Sequence, residues 1–83
     1  MGAEIPRLHT VVDQDGGAIL DIERGQITTL NAHGTFVWQA LQRGEEVESI
    51  VAKISLDSGE ATLTVERDVR RFLESLKESR LLP

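Results

Sequence analysis

Residues able to do acid–base or nucleophilic chemistry are few in this chain, and they are not grouped. His9 and His33 are the two histidines, and neither cysteine nor tyrosine accompanies them. Catalysis needs a base, a reacting partner and an orienting group within reach of one another. With no such set, His9 reads as a strand residue and His33 as part of a first helical turn. The run Asp13-Gln14-Asp15-Gly16 begins like a calcium loop, but Arg24 occupies the twelfth position, where a bidentate carboxylate is needed. It reads as a turn. The chemistry left over is that of the main chain. Residues 26–30 (Gln-Ile-Thr-Thr-Leu) carry no charge and no proline. At a sheet edge, such a segment offers unpaired N–H and C=O groups to an extended peptide.

The elements that would position this segment follow from the hydrophobic period. Residues 1–6 read as a loose lead-in, since Pro6 cannot donate to a ladder. Residues 8–12 have strand composition, and a Gly16-Gly17 turn cluster follows Asp13. Residues 18–23 resume a strand, with Ala18, Leu20 and Ile22 expected on the core side. Asp21 and Glu23 are expected on the other side, and Ile19 is expected to be partly exposed. Arg24-Gly25 signals a second hairpin, and residues 26–30 return as a third strand. The period then lengthens. Asn31 suits the joint because its amide oxygen can accept from the orphan N–H groups of a first helical turn.

Three helices are predicted. The first spans 32–42, presents Phe36, Val37, Ala40 and Leu41 on one face, and stops at Gly44. Trp38 sits at the edge of that face. The second spans 45–57 and repeats Val47, Ile50, Val51 and Ile54 at i, i+3, i+4 and i+7. The third starts near Thr64, places Glu66 and Asp68 in its first turn, and carries the stripe Val65, Val69, Phe72, Leu73 and Leu76. Leu81 and Leu82 are expected to fold back over the core. A three-stranded antiparallel β-meander followed by three α-helices is an α+β fold of winged helix-turn-helix-like type. With no repeat or linker, residues 1–83 are expected to be one domain. A groove between sheet and helices is the first place to look for function.

Composition excludes several classes. At 83 residues with 40 % hydrophobic and 28 % charged residues, the chain is globular. The absence of cysteine removes disulfides, thiolate metal sites and thiol nucleophiles, and it fits a cytoplasmic location. No apolar run approaches the roughly 20 residues that span a bilayer, so no membrane partner is expected. A net charge of −5 argues against an electrostatic grip on nucleic acid. No cofactor is implied.

Leu30-Asn31, Gly34, Val37-Trp38, Leu41 and Gly44 together resemble the "LN…G…IW…L…G" core of the PqqD-like family. Val47, Ile50-Val51, Asp68-Val69, Phe72-Leu73 and Leu76 extend the match, which covers residues 8–82. These are the RiPP recognition elements, small winged-helix domains that bind the leader segment of a ribosomally made precursor peptide. A stand-alone acidic domain of this size is similar to the leader-binding proteins of lasso-peptide clusters, which serve a cysteine-protease-type leader peptidase and an ATP-dependent cyclase. The resemblance implies that a leader adds as an antiparallel strand to the third strand and packs against the third helix. Carried over, the main chain of Ile27, Thr28 and Thr29, up to Leu30, would supply the ladder. Val69, Phe72, Leu73 and Leu76 would offer apolar pockets shared with the core. Arg67, Arg70 and Arg71 read either as a solvated face with i, i+4 pairs such as Arg70–Glu74 or as groove-flanking residues, Arg67 and Arg70 among them, that pair with acidic leader residues. If the Thr28 N–H points outward, Thr28→Pro would remove one ladder donor.

Three other readings compete. A PqqD-type peptide chaperone for a radical enzyme in quinone-cofactor synthesis is the sibling reading. A winged-helix DNA-binding protein is opposed by Glu45, Glu46, Glu48 and Asp57 against a single Lys53 on the natural recognition helix. A purely structural module would use the third strand to pair with another copy. The reading favoured by the residues is a non-enzymatic adaptor with a precursor leader peptide as its partner.

Overall fold

The computed structural model describes residues 7–82; the lead-in expected over residues 1–6 lies outside them. The order is β1 (Leu8–Asp13), β2 (Gly16–Asp21), β3 (Gln26–Asn31), α1 (Ala32–Gln42), α2 (Val47–Ser58) and α3 (Thr62–Glu78). The strands form an antiparallel sheet in the order β1-β2-β3, so β3 is an edge. The chain divides into two compact units, Met1–Phe36 and Val37–Pro83, and passes from one to the other within α1.

In the first unit, Asp13 makes the β1–β2 turn. Its Oδ1 accepts from the N–H groups of Asp15 (2.9 Å) and Gly16 (3.0 Å), which leaves a two-residue connection. Asp13 pairs with Gly16 across it, and the register runs on to Leu8 opposite Asp21. The β2–β3 register runs from Gly16 opposite Asn31 to Asp21 opposite Gln26. A side chain at Gly16 would run into the backbone oxygen of Leu30, and a Cβ at Gly17 would sit 2.8 Å from the Val11 carbonyl and 3.1 Å from Thr35 Oγ1. These two glycines let the neighbouring backbone and the first turn of α1 close on β2.

The expected facing of β2 is reversed. Ile19 is 0 % exposed and Asp21 is buried, whereas Ala18 and Leu20 are half-buried and Ile22 is exposed. The physical reason lies in Asp21. Its Oδ1 accepts from Arg24 N–H at 3.1 Å, closing the second turn, and its Oδ2 faces Arg7 Nε at 3.5 Å. A buried carboxylate with those partners is tolerated, so the inner face takes Asp21 together with Ile19.

Asn31 caps α1 as expected: Gly34 N–H donates to its Oδ1 at 2.7 Å. Thr35 Oγ1 donates to Asn31 C=O at 2.8 Å and is buried. Because Thr35 turns inward, the buried side of α1 is Thr35, Val37, Trp38 and Ala40, and Phe36 is exposed rather than part of the core face.

In the second unit, Val37, Ala40, Ile50, Val51, Val65 and Val69 form the core, with Leu41, Val47, Ile54, Phe72 and Leu73 half-buried against it. α1 ends as Gly44 (φ +83°) donates to Leu41 C=O (3.0 Å) while Glu45 N–H reaches Ala40 C=O (3.1 Å). This paired bonding is a Schellman termination. α3 begins at Thr62, two residues before the expected start, so Glu66 and Asp68 fall outside its first turn. Ser55 Oγ fastens the α2–α3 connection by donating to Glu60 C=O at 2.6 Å. Leu81 is buried, and its N–H bonds to Leu76 C=O at 2.8 Å, so the chain end folds back as expected.

Candidate peptide-binding site

Which main-chain groups of β3 are open can be worked out from one hydrogen bond and the register. Ile22 N–H donates to Arg7 C=O at 3.0 Å, directly beyond the end of the β1–β2 ladder. In an antiparallel sheet the N–H and C=O of one residue turn to one side, and those of the next turn to the other. Leu20, Ala18 and Gly16 therefore face β1, and Asp21, Ile19 and Gly17 face β3. Their partners are Gln26, Thr28 and Leu30, whose backbone groups are spent inside the sheet. The clash of a Gly16 side chain with the Leu30 oxygen agrees, since that carbonyl is directed at β2.

Ile27 and Thr29 thus turn their N–H and C=O groups to the outer edge. Asn31 has the same phase, but its carbonyl is taken by Thr35. The expectation that Thr28 supplies an outward donor is corrected here: its N–H belongs to the β2 ladder. The phase is set by the strand pairing rather than by residue type. A two-residue loop at 14–15 makes Asp13 and Gly16 the closing pair, and every second residue follows from it.

Side chains of β3 alternate too. Gln26 and Thr28 are half-buried and Leu30 is buried, while Ile27 and Thr29 are exposed. A shallow depression of about 330 Å³ lies over Gly16, Gly17 and Ala18, flanked by Val11 and Thr29.

Within the second unit, the α3 candidates separate by burial. Val69 and Leu76 are buried, which commits them to packing. Phe72 and Leu73 are half-buried and keep part of their surface accessible. Arg70 is bonded to Glu66, with Nη2 to Oε2 at 2.9 Å and Nε to the same oxygen at 3.2 Å. Arg67 and Arg71, one helical turn apart, are exposed and have no ion pair among the described residues. Of the three arginines that could flank a groove, these two remain available, and Arg70 is engaged by Glu66. The Glu45 carboxyl is displaced from its ordinary value of 4.5. It is held lower by hydrogen bonds from Lys53 (2.8 Å) and then Arg43 (2.9 Å).

The model of the family described as coenzyme PQQ synthesis protein D (PqqD) matches residues 16–82. The chain belongs to the PqqD family. The match begins at the Gly16 turn and runs through α3, so it takes in both the open edge and the helix. Among solved structures, this PqqD-family chain is similar to TbiB1 in complex with the TbiA(beta) leader peptide. The two are 32 % identical, with 92 % of this chain and 88 % of that chain covered and a TM-score of 0.85. A lasso peptide synthetase B1 complexed with its leader peptide shares the fold at 23 % identity, covering 90 % and 88 % of the two chains with a TM-score of 0.81. The α+β fold expected from the sequence, a three-stranded meander followed by three helices, is therefore the fold of these proteins. No curated protein sequence matches the chain.

Proposed function

We propose that this PqqD-family chain is a non-enzymatic adaptor that binds the leader segment of a precursor peptide by strand addition to β3. The observation that carries the reading is the uncharged β3 edge with Ile27 and Thr29 turned outward, in a chain 32 % identical to a protein solved with a leader peptide. The ladder supplies affinity that depends little on leader sequence. Phe72 and Leu73 of α3 meet leader side chains, and Arg67 pairs with an acidic one. The whole of residues 1–83 acts as one leader-binding domain. It delivers the precursor to a cysteine-protease-type leader peptidase and an ATP-dependent cyclase of lasso-peptide biosynthesis in the cytoplasm, by raising the local concentration of substrate beside the enzyme. Among the described residues, no helix is long and apolar enough to cross a membrane.

The test is titration of a labelled synthetic leader, taken from the small precursor encoded beside this chain. Saturable binding is expected. Thr29→Pro removes an outward donor and should weaken binding about tenfold, the loss of roughly one ladder bond plus the obstruction of the ring. Its circular dichroism should match that of the wild type. Thr28→Pro should instead loosen the β2–β3 pairing and lower stability. No saturable binding by the wild type, or unchanged binding by Thr29→Pro, overturns the reading.

A second reading is favoured by the family match itself: a chaperone serving a radical enzyme in quinone-cofactor synthesis. Neighbouring genes separate the two. A protease and a cyclase favour the first, and a radical enzyme favours the second.

A further inference from the structure

Residues paired across an antiparallel sheet point their side chains to the same face. His9, Leu20 and Ile27 therefore form one row, and Val11, Ala18 and Thr29 the next. Both rows lie on the face opposite buried Ile19 and Leu30. They contain no Asp, Glu, Lys or Arg; Ala18 and Leu20 are half-buried, while Ile27 is 67 % exposed and Val11 57 %. A large β-branched side chain so exposed at the rim of an unpaired edge is an apolar surface that a neighbouring strand would cover.

Ile27 and Thr29 are also the residues whose backbone groups turn outward. In the hydrogen-bonded pairs of an antiparallel ladder, each partner residue lies directly opposite and shares a face with its counterpart. A peptide strand that bonds to Ile27 and Thr29 must use two of its own residues, i and i+2. Both side chains then fall on the outer face beside Ile27 and Thr29. Only the residue between them points to the inner face.

We propose that Ile27 is a specificity-determining residue whose side chain selects an apolar leader residue paired opposite it, so that the leader is read on both faces of the sheet. The inference rests on strand addition to β3. The strand's residue opposite Ile27 lengthens the row His9–Leu20–Ile27 by one position and covers the isoleucine. The position opposite Thr29 tolerates small or polar residues, since Thr29 sits beside Ala18 and the depression over the glycines.

The experiment measures the affinities of the wild type, Ile27→Thr and Thr29→Pro for the synthetic leader of the adjacent precursor. It repeats them for leaders in which each apolar residue is replaced by threonine in turn. Ile27→Thr keeps the β-branched shape and touches no core residue, so the fold is retained. It should weaken binding about two- to fivefold, the range of one cross-strand pair. One leader replacement should cost the wild type a similar factor and cost Ile27→Thr nothing further, the non-additivity of residues in contact. Wild-type affinity in Ile27→Thr, or additive losses at every leader position, overturns the inference. Loss of binding in Thr29→Pro alongside either result shows that strand addition stands and only the outer-face selection fails. Unchanged binding in Thr29→Pro removes both.

Discussion

Asn31 does two things within a few ångströms. Its side chain takes the Gly34 N–H at 2.7 Å, and its carbonyl takes the Thr35 hydroxyl at 2.8 Å. The first satisfies an orphan donor of α1, and the second swings Thr35 over Gly17, where a side chain on β2 would collide. One residue thereby ends the strand, starts the helix and fixes how its first turn sits. Asn31→Ala should lower stability by about 1 kcal/mol, the usual worth of an N-cap. In a chain of this size that is a fall in Tm of about 4–8 °C, read by thermal denaturation. The cap was legible from residue type alone, because few side chains suit the change from period two to 3.6. Asp21 was not legible. A carboxylate in a strand reads as solvent-facing, and only the folded chain brings Arg24 N–H and Arg7 to it.

At the level of elements, the six segments follow from apolar spacing, but two of their properties do not. The facing of β2 is ambiguous in sequence, since Ala18, Leu20 and Ile22 alternate on one side while Gly17, Ile19 and Asp21 occupy the other. The choice is made by Gly16 and Gly17, where the lack of a side chain admits Leu30 C=O and Thr35. The start of α3 is hidden for the opposite reason, because its N-cap is Ala61, which has no side-chain acceptor to announce it. The end of α1 is tied to α2 through Glu45, which bonds to Lys53 and Arg43. Its carboxyl titrates below 4.5 in the folded chain. A lowered carboxyl contributes stability above its unfolded value and loses that contribution as pH falls through the folded one. Glu45→Gln should therefore be less stable than the wild type at neutral pH. The gap should narrow as the pH is lowered past 4.5, as compared by urea denaturation at neutral and at acid pH.

For the whole molecule, the open edge is a hazard as well as a candidate site, because an uncharged strand with free ladder groups can pair with any extended chain. The net charge of −5 opposes the approach of further copies and of phosphate without acting on a neutral backbone ladder. Candidate binding residues were legible as a segment, since residues 26–30 lack charge and proline. Which of them face outward was not, because orientation belongs to the pairing and not to the residue. That alternation has a consequence for solvent protons. With no peptide added, the amide hydrogens of Thr28 and Leu30 are locked into β2, and those of Ile27 and Thr29 meet water. Deuterium uptake resolved by NMR should therefore rise and fall with a period of two along β3, fast at 27 and 29, slow at 28 and 30. A strand laid on the edge should erase the fast members and leave the slow ones as they were.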